Sequence, residues 1–66
     1  MVFARRLSSG KITAFLRVYR RITGDYTIET RLFNKDKWES NINMPLFNER
    51  KDTENWLKSN YEEVTQ

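Results

Sequence analysis

The 66-residue chain contains no cysteine and no histidine. Disulfides therefore cannot reinforce its core, and zinc sites with Cys or His ligands are excluded, as are catalytic triads that need a histidine base. No apolar run is long enough to cross a membrane, and the arginines at positions 5 and 6 do not precede the apolar segment of a secretory signal. We expect a cytoplasmic protein without a cofactor, a metal or a membrane contact.

The short length sets a second limit. A chain of this size forms one domain and buries only about 60% of the surface that its unfolded form exposes. It has little room for the deep pocket in which catalytic groups acquire shifted pKa values. Aromatic residues nevertheless make up 14% of the chain, which argues against disorder. We predict a single folded domain over residues 1–66 that is not an enzyme.

Charge is distributed unevenly along the chain, whose formal net charge is +3. Residues 1–37 carry nine Lys or Arg and three Asp or Glu, a net charge of +6. Residues 38–66 carry three basic and six acidic side chains, a net charge of −3. The basic half is therefore where we expect an anionic partner to bind.

Two segments alternate in the way that β-strands do. Residues 12–22 and 26–33 are rich in β-branched and aromatic side chains, and the segment Thr23-Gly24-Asp25 between them is a turn signal. In both segments the even-numbered positions carry most of the aliphatic side chains. The two segments therefore predict a β-hairpin with one apolar face.

The loop of this hairpin needs an odd number of residues, because a shift of one residue would move every side chain to the other face. A three-residue loop at 23–25 satisfies this condition, as does another odd length. With the three-residue loop, the facing pairs are Leu16–Leu32, Phe15–Phe33 and Arg17–Arg31. The last pair brings two like charges together, which weakens the hairpin unless an anion lies between them.

The second half of the chain predicts a third strand and a helix. Residues 38–44 continue the alternation, and we expect Trp38 to lie in the core, with stacking on a base as the alternative. After Pro45, either Asn48 or Asp52 can cap a helix. Its apolar arc comprises Thr53, Trp56, Leu57, Asn60, Tyr61 and Val64. Near the N-terminus, residues 2–7 form either a short strand or part of a loose basic arm over residues 1–10.

These elements predict an α+β fold, a three-stranded antiparallel β-sheet (a β-β-β meander) with one C-terminal α-helix packed on one face. The helix should cover the even-numbered side of the hairpin, which includes Leu16, Val18 and Ile28 and is named the helix face. The odd-numbered side stays uncovered and is named the open face.

The open face combines aromatic rings with cations. Rings stack on bases and guanidinium groups bind phosphates, and such sheets bind single-stranded nucleic acid; a sheet can also enter the major groove of duplex DNA. The predicted nucleic-acid-binding residues are Phe15, Arg17, Tyr19, Arg21, Arg31, Phe33 and Lys35. The same pattern is also typical of a solvated face, on which arginine stems lie across a phenylalanine pair.

The junction between sheet and helix resembles a segment of a known family. Residues 47–57 read Phe-Asn-Glu-Arg-Lys-Asp-Thr-Glu-Asn-Trp-Leu. They resemble the Phe-x-Thr-Lys-Lys-Glu-Ala-Glu-x-Trp-Leu segment of the arm-binding N-terminal DNA-binding domains of tyrosine integrases. The matching positions are Phe47, Arg50, Lys51, Glu54, Trp56 and Leu57, whereas Glu49 stands in place of Thr and Thr53 in place of Ala. The resemblance implies duplex DNA binding through sheet residues such as Arg17, Arg31 and Lys35, without catalytic residues.

Two functions of different classes remain open. The first is a small nucleic-acid-binding module, with DNA expected rather than RNA. The second is a small phage-like interaction module, an inhibitor or adaptor, that docks an acidic protein through the sheet face or an edge strand. A third possibility is homodimerisation through Phe15 and Phe33, and we expect the protein to be a monomer or a weak homodimer.

Overall fold

An antiparallel sheet of five strands and one α-helix make up residues 1–64, the part of the chain that the computed structural model describes. The elements in chain order are β1 (Val2–Arg6), β2 (Ile12–Arg20), β3 (Tyr26–Leu32), β4 (Glu39–Ser40), α1 (Arg50–Asn60) and β5 (Glu62–Val64). Across the sheet the order is β4-β3-β2-β1-β5. The predicted α+β class with an antiparallel sheet and one helix is confirmed. The predicted number of three strands is wrong, because β1 and β5 extend the meander on one side.

The N-terminal segment is an inner strand of the sheet and not a loose arm. β1 pairs with β2 on one side and with β5 on the other. Its first residues are apolar, and Phe3, opposite Leu16, is completely buried. A strand with both edges paired satisfies its backbone hydrogen bonds, and burial of Phe3 adds the apolar contacts that hold it in place.

The β2–β3 hairpin has the predicted parity but a different register. Its loop is five residues long, 21–25, and Gly24 adopts the positive φ of 93° that glycine allows. The observed pairs are Phe15–Arg31, Leu16–Thr30, Arg17–Glu29 and Val18–Ile28. The predicted pairs Leu16–Leu32, Phe15–Phe33 and Arg17–Arg31 are therefore wrong. The observed register is favoured because it places Arg17 opposite the acidic Glu29, whereas the predicted register places it opposite Arg31.

The third predicted strand, residues 38–44, is reduced to the two residues of β4. After Ser40 the chain turns, with the Asn43 backbone N–H donating to Asn41 Oδ1 at 2.8 Å and the Met44 N–H to the Asn41 carbonyl at 3.0 Å. Asparagine competes with a strand in this way because its side chain accepts hydrogen bonds from its own backbone. The chain returns to the sheet edge at Phe47, which exchanges two backbone hydrogen bonds with Tyr26.

Helix α1 is shorter than the apolar arc predicts. It begins after Glu49, which takes the N-cap position predicted for Asn48 or Asp52, and it ends at Asn60. Tyr61 is extended, and the next three residues form β5, so Val64 lies opposite Val2 in the sheet and not on the helix. As a strand, residues 62–64 form backbone hydrogen bonds with the otherwise unpaired edge of β1, which a further turn of helix would leave without partners.

The core lies between α1 and the helix face, as predicted. Phe3, Leu16, Ile28 and Leu57 form a buried cluster. The partly buried side chains around this cluster are Val18, Met44, Phe47, Trp56 and Tyr61. Trp56 and Tyr61, which belong to the predicted apolar arc, both pack on the core, although Tyr61 lies after the last residue of α1. The helix begins beside β3 and runs into β5 on the other side of the sheet, so it crosses the helix face diagonally.

Candidate nucleic-acid interface

The open face is the side of the sheet opposite α1. It carries the odd-numbered side chains of β2 and β3, and Ala4 joins them because it lies opposite Phe15. Trp38 lies on the same face, because Ser40 of β4 is opposite Glu29 and Trp38 precedes Ser40 by two residues. The predicted core position of Trp38 is therefore wrong.

Arg17 and Glu29 form an ion pair at the centre of the open face. Arg17 Nε donates to Glu29 Oε1 at 2.8 Å, and the Glu29 side chain is only 12% exposed. The like-charge pair expected from the sequence is absent from the described residues, since Arg17 faces Glu29 across the strands and not Arg31. The sheet therefore needs no external anion to be stable at this position.

Cationic groups and aromatic rings stack on one another beside this pair. The Arg17 Cζ lies 4.1 Å from the centroid of the Trp38 ring, and the Arg31 Cζ lies 5.6 Å from the same centroid. The Arg31 Cζ is also 4.8 Å from the centroid of Phe15. These four residues are named the stacked cluster. Cation–π contacts of this kind hold each guanidinium plane in a defined orientation.

Arg31 is the cation of the stacked cluster whose charge is not balanced. Its Nη1 donates to the Lys35 carbonyl at 2.7 Å, which ties the guanidinium to the turn after β3. Within residues 1–64, no carboxylate lies within ion-pair distance of it. A positive charge in a defined position and without a carboxylate partner is suited to bind a phosphate.

Phe33 follows the last residue of β3, at the end of the open face that lies away from the hairpin loop. Its backbone N–H donates to the Thr13 carbonyl, which places it opposite Thr13 and apart from Phe15. The ring is half exposed, and Lys11 Nζ lies 4.9 Å from its centroid. Phe33 and Lys11 therefore form a second, smaller combination of ring and cation.

Tyr19 and Arg21 lie at the opposite end of the face, near the hairpin loop. Arg21 Nε is 3.4 Å from Asp25 Oδ1, so its charge is largely balanced. Both residues line a cleft of about 520 Å³. Ile22 and Ile42, which are almost completely exposed, line the same cleft. Apolar side chains contribute most of its lining, unlike that of the stacked cluster.

The structure thus brings together only part of the predicted site. Phe15, Arg17 and Arg31 are in contact through the stacked cluster. Tyr19, Arg21 and Phe33 lie on the same face but nearer its ends. Lys35 lines a cavity with Thr30 and Leu32, which belong to the helix face.

The sequence contains a signal for the position of Trp38. In the sequence, residues 34–37 predict a polar turn of four residues. A loop of even length pairs the odd-numbered residues of β3 with even-numbered residues of the next strand, so these side chains share a face. Trp38 and Arg31 therefore belong on one face, which is where the structure has them.

A second ion pair joins the ends of β1 and β5. Arg6 donates to both carboxylate oxygens of Glu62, at 3.1 and 3.0 Å. These hydrogen bonds, and the opposite charge, hold the pKa of Glu62 below its ordinary value and raise that of Arg6. The pair belongs to the framework of the sheet, because it fastens the last strand to the first.

Comparison with family models, with curated proteins and with solved structures finds no match to this chain. Among residues 1–64, no three acidic side chains are grouped as metal ligands would be. In the same residues, no helix has the length and apolar character needed to traverse a bilayer. The geometry of the open face is therefore the feature from which a function can be inferred.

Proposed function

We propose that this chain is a small, non-enzymatic nucleic-acid-binding module that binds through the open face. The observation that carries the proposal is the stacked cluster, in which Arg17, Trp38, Arg31 and Phe15 alternate cations with rings. Aromatic rings and guanidinium planes both stack on unpaired bases, and guanidinium N–H groups bind phosphates. The stacked cluster therefore suits a strand that presents bases and phosphates next to each other.

Stacking should supply most of the affinity. Arg17 is balanced by Glu29, so the cations available to phosphates on the open face are Arg31 and Lys11. Two phosphate contacts to a single strand imply a slope of about −1.4 in a plot of log K against log salt. Each stacked base contributes about 1–3 kcal/mol, which is little affected by salt.

Within this proposal, the nature of the nucleic acid follows from two features. The rings and guanidinium planes of the stacked cluster favour unpaired bases, because bases within a duplex are already stacked on each other. The resemblance of residues 47–57 to integrase arm-binding domains favours DNA over RNA and makes duplex DNA the second candidate.

A titration followed by amide chemical shifts tests the proposal. The wild-type protein is titrated with a 12-nucleotide single-stranded DNA, the matching RNA and the DNA duplex. We expect the largest shifts with single-stranded DNA at β2, β3 and Trp38. Trp38→Ala and Arg31→Gln should each weaken binding about tenfold, since each removes a stacking or phosphate contact. Both side chains lie outside the buried cluster, so the variants should fold.

The matched control is Arg50→Gln. Arg50 also lies over an aromatic ring, that of Tyr26, but it belongs to α1 on the other side of the sheet. Its substitution should leave the affinity within about twofold. The proposal fails if no oligonucleotide shifts the open-face amides, or if Arg31→Gln and Arg50→Gln have equal effects.

The apolar cleft at the hairpin end favours the second function, a small interaction module for an acidic protein. Exposed Ile22, Ile42 and Leu46 lie around this cleft, and exposed aliphatic side chains at a concavity are typical of protein docking sites. The net charge of +6 over residues 1–37 favours an acidic partner. Retention of one stoichiometric protein that is lost in Ile42→Ser, without binding to any oligonucleotide, would favour this function over the first.

A further inference from the structure

The diagonal path of α1 leaves one corner of the helix face uncovered. This corner lies beside β4 and the C-terminal end of β3, whereas the first turns of the helix lie at the other end of β3. A cavity of about 600 Å³ occupies it, within the range of ligand pockets in proteins. Leu32 lies on its sheet side, and Ile42 and Met44 of the loop after β4 line it as well.

Three cations surround this cavity. Arg5 reaches it because it lies opposite Ala14 on the helix face, and Lys35 and Lys37 reach it from the turn after β3. In the described part of the chain, none of the three takes part in an ion pair. The hydrogen bond of Arg5 to Thr13 uses Nε and leaves the two terminal nitrogens available.

The net charge of the residues that line the cavity is complementary to that of a phosphate monoester. Glu39 is the carboxylate among the cavity residues, so three positive charges and one negative charge give a net charge of +2. A phosphate monoester carries about −1.5 to −2 at neutral pH, and lysine and arginine are the side chains that bind it. A carboxylate ligand would balance only half of this charge.

The apolar side chains at the same cavity indicate what the phosphate is attached to. Leu32 is 42% exposed and Ile42 is almost completely exposed, so both offer apolar surface to a ligand. A nucleobase is flat and largely apolar on its faces, and it is joined to its phosphate by a single sugar. A nucleotide therefore fits both the apolar and the cationic side of the cavity.

We propose that this cavity binds a nucleoside 5′-monophosphate unit, with the phosphate held by Arg5, Lys35 and Lys37 and the base against Leu32 and Ile42. The unit has two sources, a free mononucleotide and the 5′-phosphorylated end of a strand. The second source depends on the proposed function of the open face, because the strand would continue around the β4 edge to Trp38. The first source does not depend on it.

The test is an amide chemical-shift titration with adenosine 5′-monophosphate, with adenosine, and with a 12-nucleotide DNA that carries either a 5′-phosphate or a 5′-hydroxyl. We expect the monophosphate to shift the amides of residues 30–42 and adenosine to shift them far less. If a strand end is the source, the 5′-phosphate should strengthen oligonucleotide binding at least fivefold. Absence of shifts in 30–42 with the monophosphate, together with equal binding of the 5′-phosphate and 5′-hydroxyl strands, overturns the proposal, and so do equal shifts with adenosine.

Charge variants separate this site from other cationic surfaces. Lys35→Gln with Lys37→Gln should weaken monophosphate binding at least tenfold, whereas Glu39→Gln should strengthen it several-fold by removing the opposing charge. Lys51→Gln, on the exposed side of α1, is the control and should change nothing. Lysine variants that bind as the wild type does would overturn the proposal.

Trp38→Ala distinguishes the two proposals. If this variant loses the oligonucleotide but keeps the monophosphate, both proposals are supported. If the oligonucleotide binds through Trp38 while the monophosphate and the 5′-phosphate have no effect, only the cavity proposal fails. If the monophosphate binds and no oligonucleotide does, only the proposed function of the open face fails.

Discussion

Glu29 controls the charge of the open face. Its carboxylate is largely removed from water, and a buried carboxylate is tolerated in a protein only with a close partner. Arg17 supplies that partner and also lies over Trp38. One arginine thereby satisfies a buried acid and orients a ring, so its substitution would disturb both. Substitution of Glu29 alters the charge of the open face and leaves Arg17 in place over Trp38.

Glu29→Gln should weaken folding and strengthen nucleic-acid binding. The amide keeps a hydrogen-bond acceptor for Arg17 but loses the charge, so we expect the free energy of unfolding to fall by about 1 kcal/mol. Arg17 is then no longer balanced, and the affinity for single-stranded DNA should rise a few-fold. Urea denaturation and the DNA titration measure the two effects.

Glu54→Gln is the matched control for this change. Glu54 pairs with Arg50 on the helix at a distance of 3.9 Å, and Arg50 is well exposed. Its loss should alter the free energy of unfolding by less than about 0.5 kcal/mol and leave DNA affinity unchanged. A folded Glu29→Gln protein that binds DNA more weakly than the wild type would contradict the proposed role of Arg17.

At the scale of elements, β5 shows how a short strand is held. It has three residues and pairs with β1 alone, so it lies at an edge of the sheet. Three residues form few backbone hydrogen bonds, and a strand of this length is weak by itself. The Arg6–Glu62 ion pair adds a side-chain link at one end of the β1–β5 pairing.

The pairing of β5 should therefore depend on pH. Because the pKa of Glu62 is lowered from its ordinary value of 4.5, the ion pair stabilises the folded protein above that value. This stabilisation is lost as the pH falls through the lowered pKa, since the carboxyl is then protonated. Amide hydrogen exchange of β5 should accelerate relative to β2 at acidic pH, after correction for the intrinsic exchange rate.

Glu62→Gln provides the comparison for this effect. The variant lacks the titrating carboxyl, so protection of β5 should be lower near neutral pH and change little on acidification. Glu63, which is the next residue in the chain and is exposed, serves as the control position. If Glu63→Gln removes the pH dependence as completely as Glu62→Gln does, the ion pair is not its origin.

At the scale of the whole molecule, stability depends on a small core. Four side chains, Phe3, Leu16, Ile28 and Leu57, form the buried cluster, and Leu57 is the member that α1 contributes. A domain of this size is marginally stable, so the loss of one large side chain is a large fraction of its total stability. The positions of the open face and of the cavity both depend on this contact between helix and sheet.

Leu57→Ala should unfold a large part of the protein. Truncation of a buried leucine costs about 2–5 kcal/mol, because apolar contacts are lost and a cavity remains. Circular dichroism and the dispersion of amide signals would report the loss of structure. Lys58→Ala, at an exposed position of the same helix, is the control and should remain folded. A Leu57→Ala protein as stable as this control would contradict the role of α1 as the cover of the helix face.

The parts of the fold that were predicted correctly have strong local patterns. β2 and β3 are long and alternate clearly, and the spacing of Thr53, Trp56, Leu57 and Asn60 predicts α1. The predicted hairpin register differs from the observed one by two residues, because the parity of the alternation restricts the loop to odd lengths without choosing among them. In the candidate site, Phe15, Arg17 and Arg31 follow from that parity, whereas the sequence pattern places Trp38 in the core.

The sequence by itself determined the periodicity of the strands and the helix, and hence which side chains of β2 and β3 share the open face. These features follow from local backbone geometry, in which side chains alternate along a strand and recur along a helix face. Tertiary structure decided which segments pair: Val2–Arg6 carries a weak local signal and becomes a strand by pairing with β2, and its other edge then pairs with Glu62–Val64. It also decided that Arg17 meets Glu29 and Trp38, since such contacts arise only when strands distant in sequence lie side by side.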